Sequence, residues 1–440
     1  MNLNESRRDF LKTTAVAGGV VASSALLGSS LMAQGKTSSR EGKNGSKTGS
    51  KDEDGKGVTT AKCKHVIMLY MAGGPSQMET FDPKPGAKNG GPTKAIETEV
   101  PGFTPSENLP EIAKHAGDLC LIKSMTTKEG NHSRGSYLMH TGYGPNATIK
   151  HPSLGSIVSH ELGNPDFELP NYIRLRGGPF SSGYLGVDHN PFVITAPGQA
   201  INNLEYAKNV DQKRMDRRMK LVSALDKGFA KDHGEEASEA HKTQYEKAIK
   251  LMNSPLREKF SLKGIDTETR KMYGEGAFAD SCIIASRLVE AGVASIEITQ
   301  GGWDTHGDNF NRCKDLCTAI DKPWAALIDD LKRKGLFEET LIVWMGEFGR
   351  TPRINNTDGR DHWPGNFCVV LGGGGVTGGQ VIGETDEEGT QIAADPIGPA
   401  ELYATMAELG GWNYTKEYEA GNRPVWLVMK GAKPISKVYS

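Results

Sequence analysis

Carboxylate and imidazole side chains recur in four short polar segments of this 440-residue chain, and these residue types bind metal ions. The segments are 301–308 with Asp304 and His306, 346–352 with Glu347 and Arg350, 359–364 with Arg360 and His362, and 129–134 with His132 and Ser133. Imidazoles combined with carboxylates favour zinc or a similar transition ion over calcium, which prefers oxygen ligands alone. The pattern therefore predicts a divalent metal centre, with Asp304, His306, Glu347 and His362 as its candidate ligands.

Arginines in the same segments suit a negatively charged substrate. Arg350, Arg360 and Arg134 each carry a planar guanidinium, which binds sulfate or phosphate oxygens as a fork. A metal ion beside them would polarise an ester oxygen and lower the pKa of bound water. His132 is interpreted as an acid or as a residue supporting the ligands, and Glu347 as a fourth ligand or a general base. Simpler interpretations stay open. His132 could only cap a helix, and Arg360 could form a structural ion pair with Asp361.

Short apolar runs next to these segments indicate the strands that position them. The runs are 65–71, 119–122, 295–299, 340–345 and 367–371. Between them, amphipathic patterns predict helices over 277–290 and 315–334, which end at Gly292 and Gly335. The alternation predicts an α/β fold, with a mostly parallel central sheet covered by helices on both faces. Sites in such sheets form beyond the carboxyl ends of the strands, so the polar segments are expected to meet there.

The amino terminus has the pattern of an export signal. Arg7 and Arg8 precede Phe10 and Leu11, and residues 15–31 are apolar and rich in small side chains. This order is typical of a twin-arginine signal, whose pathway exports proteins that are already folded. We therefore expect residues 1–33 to be a signal peptide. The expected partner is the twin-arginine export machinery, and the expected location is periplasmic or secreted.

Composition divides the rest of the chain. Residues 34–61 are rich in Gly, Ser, Lys and Asp and are predicted to be a disordered linker. A single α/β domain is assigned to residues 62–440. Within it, residues 203–272 are charged and helix-prone, with few strand signals, and are predicted to form a helical insertion.

Charge and cysteine content exclude several classes of protein. The formal net charge of −2 favours neither nucleic acid nor an anionic membrane as a partner, and no later apolar run is long enough for a stable membrane span. Six cysteines in so long a chain do not form a disulfide framework. Cys313 and Cys317 are four residues apart, which places them on one face of a helix. The alternative interpretation is that they form a disulfide or half of a metal site. Residues 372–375 lack the spacing of a phosphate loop.

A set of motifs across the chain resembles a known family. The residues are 65–71 with Gly73-Gly74-Pro75-Ser76, Thr80-Phe81-Asp82-Pro83-Lys84, Asn131-His132-Ser133, 288–293, Trp303-Asp304-Thr305-His306, 346–352 and Gly359-Arg360-Asp361-His362. Together they resemble a large bacterial family of secreted proteins called domain of unknown function 1501, over residues 64 to 385. That family is described as sulfatase-like and grouped with the alkaline phosphatase-like fold.

The resemblance implies a metal centre whose ligand set is nearly complete for one ion. Asp304 and His306 match an aspartate and its nearby histidine, and His362 matches the final histidine. Ala72-Gly73 stand where the superfamily has its first-strand aspartate, and only the carboxylate of Glu347 remains from a later Asp-His pair. Gly130 occupies the position of the modified cysteine, which excludes the formylglycine mechanism. Ser76, Ser133, Thr126 or a metal-bound water are the alternatives for the nucleophile.

These inferences predict an exported metal-dependent hydrolase of sulfate or phosphate esters, acting on a small-molecule or polysaccharide substrate. The alternative is a catalytically inactive exported binding or scaffolding protein that keeps the fold, since the first-strand aspartate and the cysteine are missing. A third option is a metal-dependent mutase or transferase on the same scaffold.

Overall fold

The computed structural model describes residues 62–178, 180–199, 201, 204, 206–233 and 235–440. The predicted signal peptide and linker lie outside the described residues. Ala61–Leu204 and Met219–Ser440 form one compact unit, and Glu205–Arg218 belong to a second unit. The site and the sheet described below lie in the first of these units.

Eight strands form the central sheet of this unit, in the order β10-β2-β9-β6-β1-β5-β3-β4. Their bounds are β1 His65–Met71, β2 Leu119–Met125, β3 Tyr172–Leu175, β4 Phe192–Ile194, β5 Ser295–Gln300, β6 Thr340–Met345, β9 Phe367–Gly372 and β10 Gln380–Ile382. Only β9 runs antiparallel to its neighbours in this sheet. Three two-stranded pairs accompany it, β7 Gly349–Arg350 with β8 His362–Trp363, β11 Glu384–Thr385 with β12 Ile392–Ala394, and β13 Glu417–Ala420 with β14 Arg423–Trp426.

The central strand β1 is a nearly continuous apolar run because both faces of the sheet are covered. On β1, Ile67 and Leu69 pack into one buried cluster, while Val66 and Met68 pack into another on the opposite face. β1 pairs in parallel with β5 and β6, with Ile67 opposite Ile296 and Ile342. A continuous apolar run is the expected signature of a strand buried on both faces. The predicted α/β class with a mostly parallel sheet is confirmed.

Helices cover both faces. The α-helices of the described part of the chain are α1 Pro110–Ala113, α2 His132–Thr141, α3 Leu154–Glu161, α4 Gln212–His233, α5 Glu235–Asn253, α6 Thr267–Tyr273, α7 Ala277–Ala291, α8 Asn309–Arg333 and α9 Pro399–Gly410. Residues of α7 and α8 belong to the cluster on one face, and residues of α2, α3 and α9 belong to the cluster on the other. α4, α5 and α6 lie in the segment predicted as a helical insertion.

The helix predicted over 315–334 begins earlier, at Asn309. Cys313 and Cys317 are both fully buried on it, so the apolar face extends one turn further toward the amino terminus than the pattern indicated. All six cysteines are free and buried. Burial raises the pKa of the Cys120 thiol to about 12, which keeps it protonated and unreactive. No helix among the described residues is long and apolar enough to cross a membrane.

Candidate metal centre

The polar segments predicted from the sequence meet at the carboxyl-end edge of the sheet. Residues 301–308 follow β5, residues 346–352 follow β6, and His362 lies in β8. β5, β1 and β6 are neighbouring parallel strands, so the loops that follow them share one edge. α2 contributes His132, its first residue, to the same place.

Asp304 is the centre of this cluster. Its Oδ1 atom lies 3.1 Å from Nε2 of His306 and 3.3 Å from Nε2 of both His132 and His362. Nη2 of Arg350 donates a 2.5 Å hydrogen bond to the same oxygen. The Nε2 atoms of His306 and His362 are 3.0 Å apart. Three imidazoles and one guanidinium therefore converge on a single carboxylate oxygen.

An oxygen atom holds the opposite nitrogen of each imidazole. The pairs are His306 Nδ1 with Asp361 Oδ1 at 2.8 Å, His132 Nδ1 with Glu347 Oε1 at 2.7 Å, and His362 Nδ1 with the carbonyl oxygen of Gly130 at 2.8 Å. Carbonyl and carboxylate oxygens only accept hydrogen bonds, so each Nδ1 carries the proton and each Nε2 is left to bind a metal. This arrangement orients metal-binding histidines in many proteins.

The donor atoms fit a metal ion. Ligand atoms of His132, Asp304 and His362 all lie within 4.8 Å of one another, and His306 is adjacent to the last two. Nε2 of His132 is buried and has no hydrogen-bond partner among the residues that the structure describes. Four donors about 2.0–2.1 Å from a tetrahedral zinc ion stand about 3.3 Å apart. The separations from Asp304 Oδ1, 3.1 to 3.3 Å, match that spacing.

The cap of α2 fixes the position of His132. Oδ1 of Asn131 accepts hydrogen bonds from the backbone N–H groups of Ser133 and Arg134, at 3.1 and 3.3 Å. Asparagine is among the preferred residues at this position because its side chain satisfies amides that lack helical partners. The cap is therefore Asn131, and the first helical residue, His132, is free to contact the cluster.

Glu347 lies behind His132, and both of its carboxylate oxygens accept hydrogen bonds from the chain. Its side chain is 3% exposed. Oε1 accepts from the backbone N–H of Gly73 at 2.8 Å and from His132 Nδ1, and Oε2 accepts from the hydroxyl of Tyr70 at 3.0 Å. The role of Glu347 as metal ligand or general base stays a prediction. Its carboxylate orients His132.

Arg350 lies beneath the cluster, where its buried guanidinium is engaged by the chain itself. Nε donates to the carbonyl oxygen of Gly74 at 2.9 Å, Nη1 donates to that of Arg360 at 3.1 Å, and Nη2 donates to that of Gly73 and to Asp304. These bonds join the turn after β1 to the loop that carries Asp304. Arg350 therefore positions Asp304, and its role as an anion clamp stays a prediction.

Arg360 is also buried and engaged. Its Nε and Nη2 atoms contact the carboxylate of Glu79 at 3.0 and 2.9 Å, and Nη1 donates to the carbonyl oxygen of Pro352. Both side chains of this ion pair are 0% exposed. Arg360 therefore forms a buried ion pair with Glu79, and its role as an anion clamp stays a prediction that this pairing does not support. Arg134, the third candidate, is exposed and paired with Glu129 at 2.7 Å.

The nucleophile candidates have different surroundings. Ser133 is exposed in the first turn of α2, next to His132, and stays a prediction. Ser76 is fully buried and donates to the carboxylate of Glu79, so substrate does not reach it. Oγ1 of Thr126 donates to the carbonyl oxygen of Pro364 at 3.4 Å.

Electrostatics keep the central carboxylate ionised. Burial alone would raise the pKa of Asp304, but the hydrogen bond and charge of Arg350 outweigh it and hold that pKa well below its usual range. The hydrogen bond to Glu347 raises the pKa of His132, whereas burial lowers the pKa of His362. Asp304 is thus an anion at any ordinary pH, the form in which a carboxylate can bind a cation.

Sequence reasoning missed three residues that support the imidazoles. Asp361 stands beside His362 in the chain, and its position next to a candidate ligand was the available signal. Gly130 acts through its backbone carbonyl, and Tyr70 lies inside an apolar strand. In the sequence, Gly130 looks like any loop glycine and Tyr70 like any core residue of an apolar strand, so nothing marked them as parts of the site.

Comparisons with known proteins agree with the family resemblance. Residues 63–439 match the family described as "Protein of unknown function (DUF1501)". No curated protein matches the sequence.

Solved structures of similar arrangement come from several bacteria. One is PsFucS1 sulfatase from Pseudoalteromonas sp., 16% identical, with a TM-score of 0.33 over 80% of this chain and 68% of that chain. A second is a protein in the alkaline phosphatase superfamily from Vibrio parahaemolyticus, 9% identical, with a TM-score of 0.36 over 81% and 68%. A third is alkaline phosphatase from the Antarctic bacterium TAB5, 11% identical, with a TM-score of 0.32 over 80% and 99%. No site residue is assigned from likenesses of this size.

Proposed function

Since the chain belongs to the DUF1501 family of proteins of unknown function, we propose from its own site that it is an exported metal-dependent hydrolase of sulfate or phosphate esters. The observation that supports this proposal is the convergence of three imidazole Nε2 atoms on Oδ1 of Asp304. Each of these imidazoles is held from behind through Nδ1, as metal-binding histidines are.

Asp304, His362 and His132 are the proposed ligands, and His306 adjoins them. When bound, zinc or a similar ion supplies Lewis-acid polarisation of the ester and a lowered pKa for water. Glu347 keeps the Nδ1 proton on His132, so that Nε2 of that ring faces the ion. Arg350 keeps Asp304 ionised and in place.

His306 is the proposed proton donor to the leaving oxygen in its doubly protonated form, in which Nε2 carries a second proton while Nδ1 stays bonded to Asp361. Its side chain is 46% exposed, more than those of the other two imidazoles of the cluster. Asp361 holds its Nδ1 at 2.8 Å, which fixes the ring so that Nε2 faces the cluster. A positioned imidazole of this kind contributes roughly 100-fold or more to a hydrolytic rate.

The substrate's negative group would meet the ion and not a buried arginine, because Arg350 and Arg360 are engaged within the chain. Arg134 is exposed beside His132 and is the remaining arginine of the predicted set. A small-molecule or polysaccharide ester is proposed as substrate. Export to the periplasm or beyond by the twin-arginine machinery is proposed from Arg7 and Arg8.

The test is elemental analysis of the mature protein, expressed with its own signal, beside the variant His362→Ala. We expect one zinc-like ion per chain and hydrolysis of nitrophenyl sulfate or nitrophenyl phosphate, with both lost in the variant. His115→Ala is the matched control, since that histidine contacts Asp118 in the turn before β2. Wild-type activity in His362→Ala without an ion would refute the assignment.

The engaged arginines favour one second candidate, an exported protein that binds metal without catalysis. A hydrolase of charged esters needs a cationic clamp or an open ion, and neither Arg350 nor Arg360 is available as a clamp. An ion with four protein ligands and no exchangeable water would support this second candidate. Water exchange measured on the cobalt-substituted protein separates the two.

A further inference from the structure

α2 contacts the sheet through three polar side chains spaced four residues apart. His132, Ser136 and His140 lie on one helix face, as residues at this spacing do. His132 binds Glu347 at 2.7 Å, Ser136 contacts Tyr70 at 2.8 Å, and His140 contacts Glu297 on β5 at 3.2 Å. Polar contacts therefore join the helix that carries a proposed ligand to three different strands or strand ends.

Tyr70 is the link between two of these contacts. Its ring is buried on β1, and its hydroxyl lies 2.8 Å from Oγ of Ser136 and 3.0 Å from Oε2 of Glu347. A carboxylate accepts hydrogen bonds only, so the single hydroxyl proton of Tyr70 goes to Glu347 and Ser136 donates to Tyr70. The donors run in one direction, from Ser136 to Tyr70 to Glu347.

Glu347 has a distinct donor on each oxygen. Gly73 N–H and His132 share Oε1, and Tyr70 is the donor that the structure gives to Oε2. Removal of the Tyr70 hydroxyl leaves Oε2 buried without that donor, and the carboxylate is then free to rotate about its last bond. Rotation carries Oε1 away from Nδ1 of His132, so the ring loses its fixed orientation.

We infer that Tyr70 is a positioning residue of the metal centre, which acts through Glu347 to hold His132 against the ion. The inference rests on the proposed function, because it assigns Tyr70 a role only if an ion is bound. Groups that support metal ligands are known to change metal affinity without contacting the metal. The role differs from ordinary core packing, since Tyr70→Phe keeps the buried ring and removes one oxygen.

The experiment measures zinc affinity of the full mature chain by competition with a chelator. Tyr70→Phe is expected to weaken zinc binding about 10-fold, at the lower end of effects seen for groups behind metal ligands. Ser136→Ala is the matched control, because it removes a contact of the same hydroxyl but leaves the bond from Tyr70 to Glu347. Its zinc affinity is expected to stay near that of the wild type.

Thermal unfolding with and without zinc separates positioning from folding. A positioning role lowers the rise in Tm that zinc produces in Tyr70→Phe, whereas a purely structural role lowers Tm equally in both states. Unchanged zinc affinity in Tyr70→Phe would overturn the inference, as would an equal loss in Ser136→Ala. If the wild-type protein bound no zinc, the proposed function would fail together with this inference. If the wild type and Tyr70→Phe bound zinc with equal affinity, only this inference would fail.

Discussion

Substitution of Gly73 by alanine perturbs the point where β1 meets the loop of Asp304. Gly73 has a φ of +120°, where residues with a side chain are strained. An added Cβ would lie 2.4 Å from the backbone nitrogen of Asp304 and 2.7 Å from the carbonyl carbon of Trp303. Ordinary contacts begin at 3.4 Å. The loop must therefore move by about 1 Å, because its backbone has no flexible side chain that yields instead.

Two costs follow from this geometry. The positive φ costs alanine about 1–2 kcal/mol, and the overpacked contact costs about 1–3 kcal/mol. We expect the free energy of unfolding of the zinc-free protein to fall by about 2–5 kcal/mol in total. Displacement of Asp304 by about 1 Å is also expected to lower hydrolytic activity about 100-fold, with zinc lost from the purified protein.

Gly86→Ala is the control for the backbone term. Gly86 has a φ of +85°, and an added Cβ there meets no atom within 4 Å. This variant should lose only the stability attributable to φ and should keep its zinc. Urea denaturation of zinc-free proteins and elemental analysis provide the two measurements. Equal loss of stability in both variants, with zinc retained by both, would refute the close approach as the reason for glycine at position 73.

Two further predictions concern buried charges. Arg174 and His140 lower the pKa of Glu297 from 4.5 to about 2 although burial alone would raise it. A lowered folded-state pKa stabilises the protein above pH 4.5, by about 3 kcal/mol, and this stabilisation is lost as pH falls toward 2. In urea denaturation, the stability difference between wild type and Glu297→Gln should shrink over that interval, and a constant difference would contradict the coupling. Arg360→Ala leaves Glu79 buried without its partner and should cost about 3–5 kcal/mol in the free energy of unfolding, while the folded fraction keeps its metal. Loss of metal from that folded fraction, measured by elemental analysis, would give Arg360 a role in the centre after all.

Local patterns were sufficient for the elements that carry the site. β1 and β6 have the bounds that their apolar runs indicated, and α7 ends at Gly292 as its pattern indicated. Short strands were missed, among them β3 and β4, because four or three residues give too little periodicity to distinguish them from loops. α8 was predicted too short, since its first turn is polar apart from buried positions that only packing reveals.

The partners of charged side chains required the tertiary structure. Arg350 and Arg360 follow β6 in polar segments, where free arginines would be expected to contact substrate. The structure instead pairs Arg360 with Glu79, a residue 281 positions away, and bonds Arg350 to the turn after β1. Such pairing depends on which loops meet at the sheet edge, and no local pattern encodes it.

For this protein, the sequence alone indicated where the main buried strands lie along the chain. It also indicated the sheet edge at which their loops meet and the residue types gathered there. These properties follow from apolar periodicity and from the parallel connection of strands, which are local or nearly so. Only the tertiary structure decided which of these residues meet in one cluster. It turned Glu347 away to support His132, and it brought His132 within reach of Asp304 and His362. The physical reason is that a buried carboxylate must accept hydrogen bonds, and only the folded chain determines which donors lie near it.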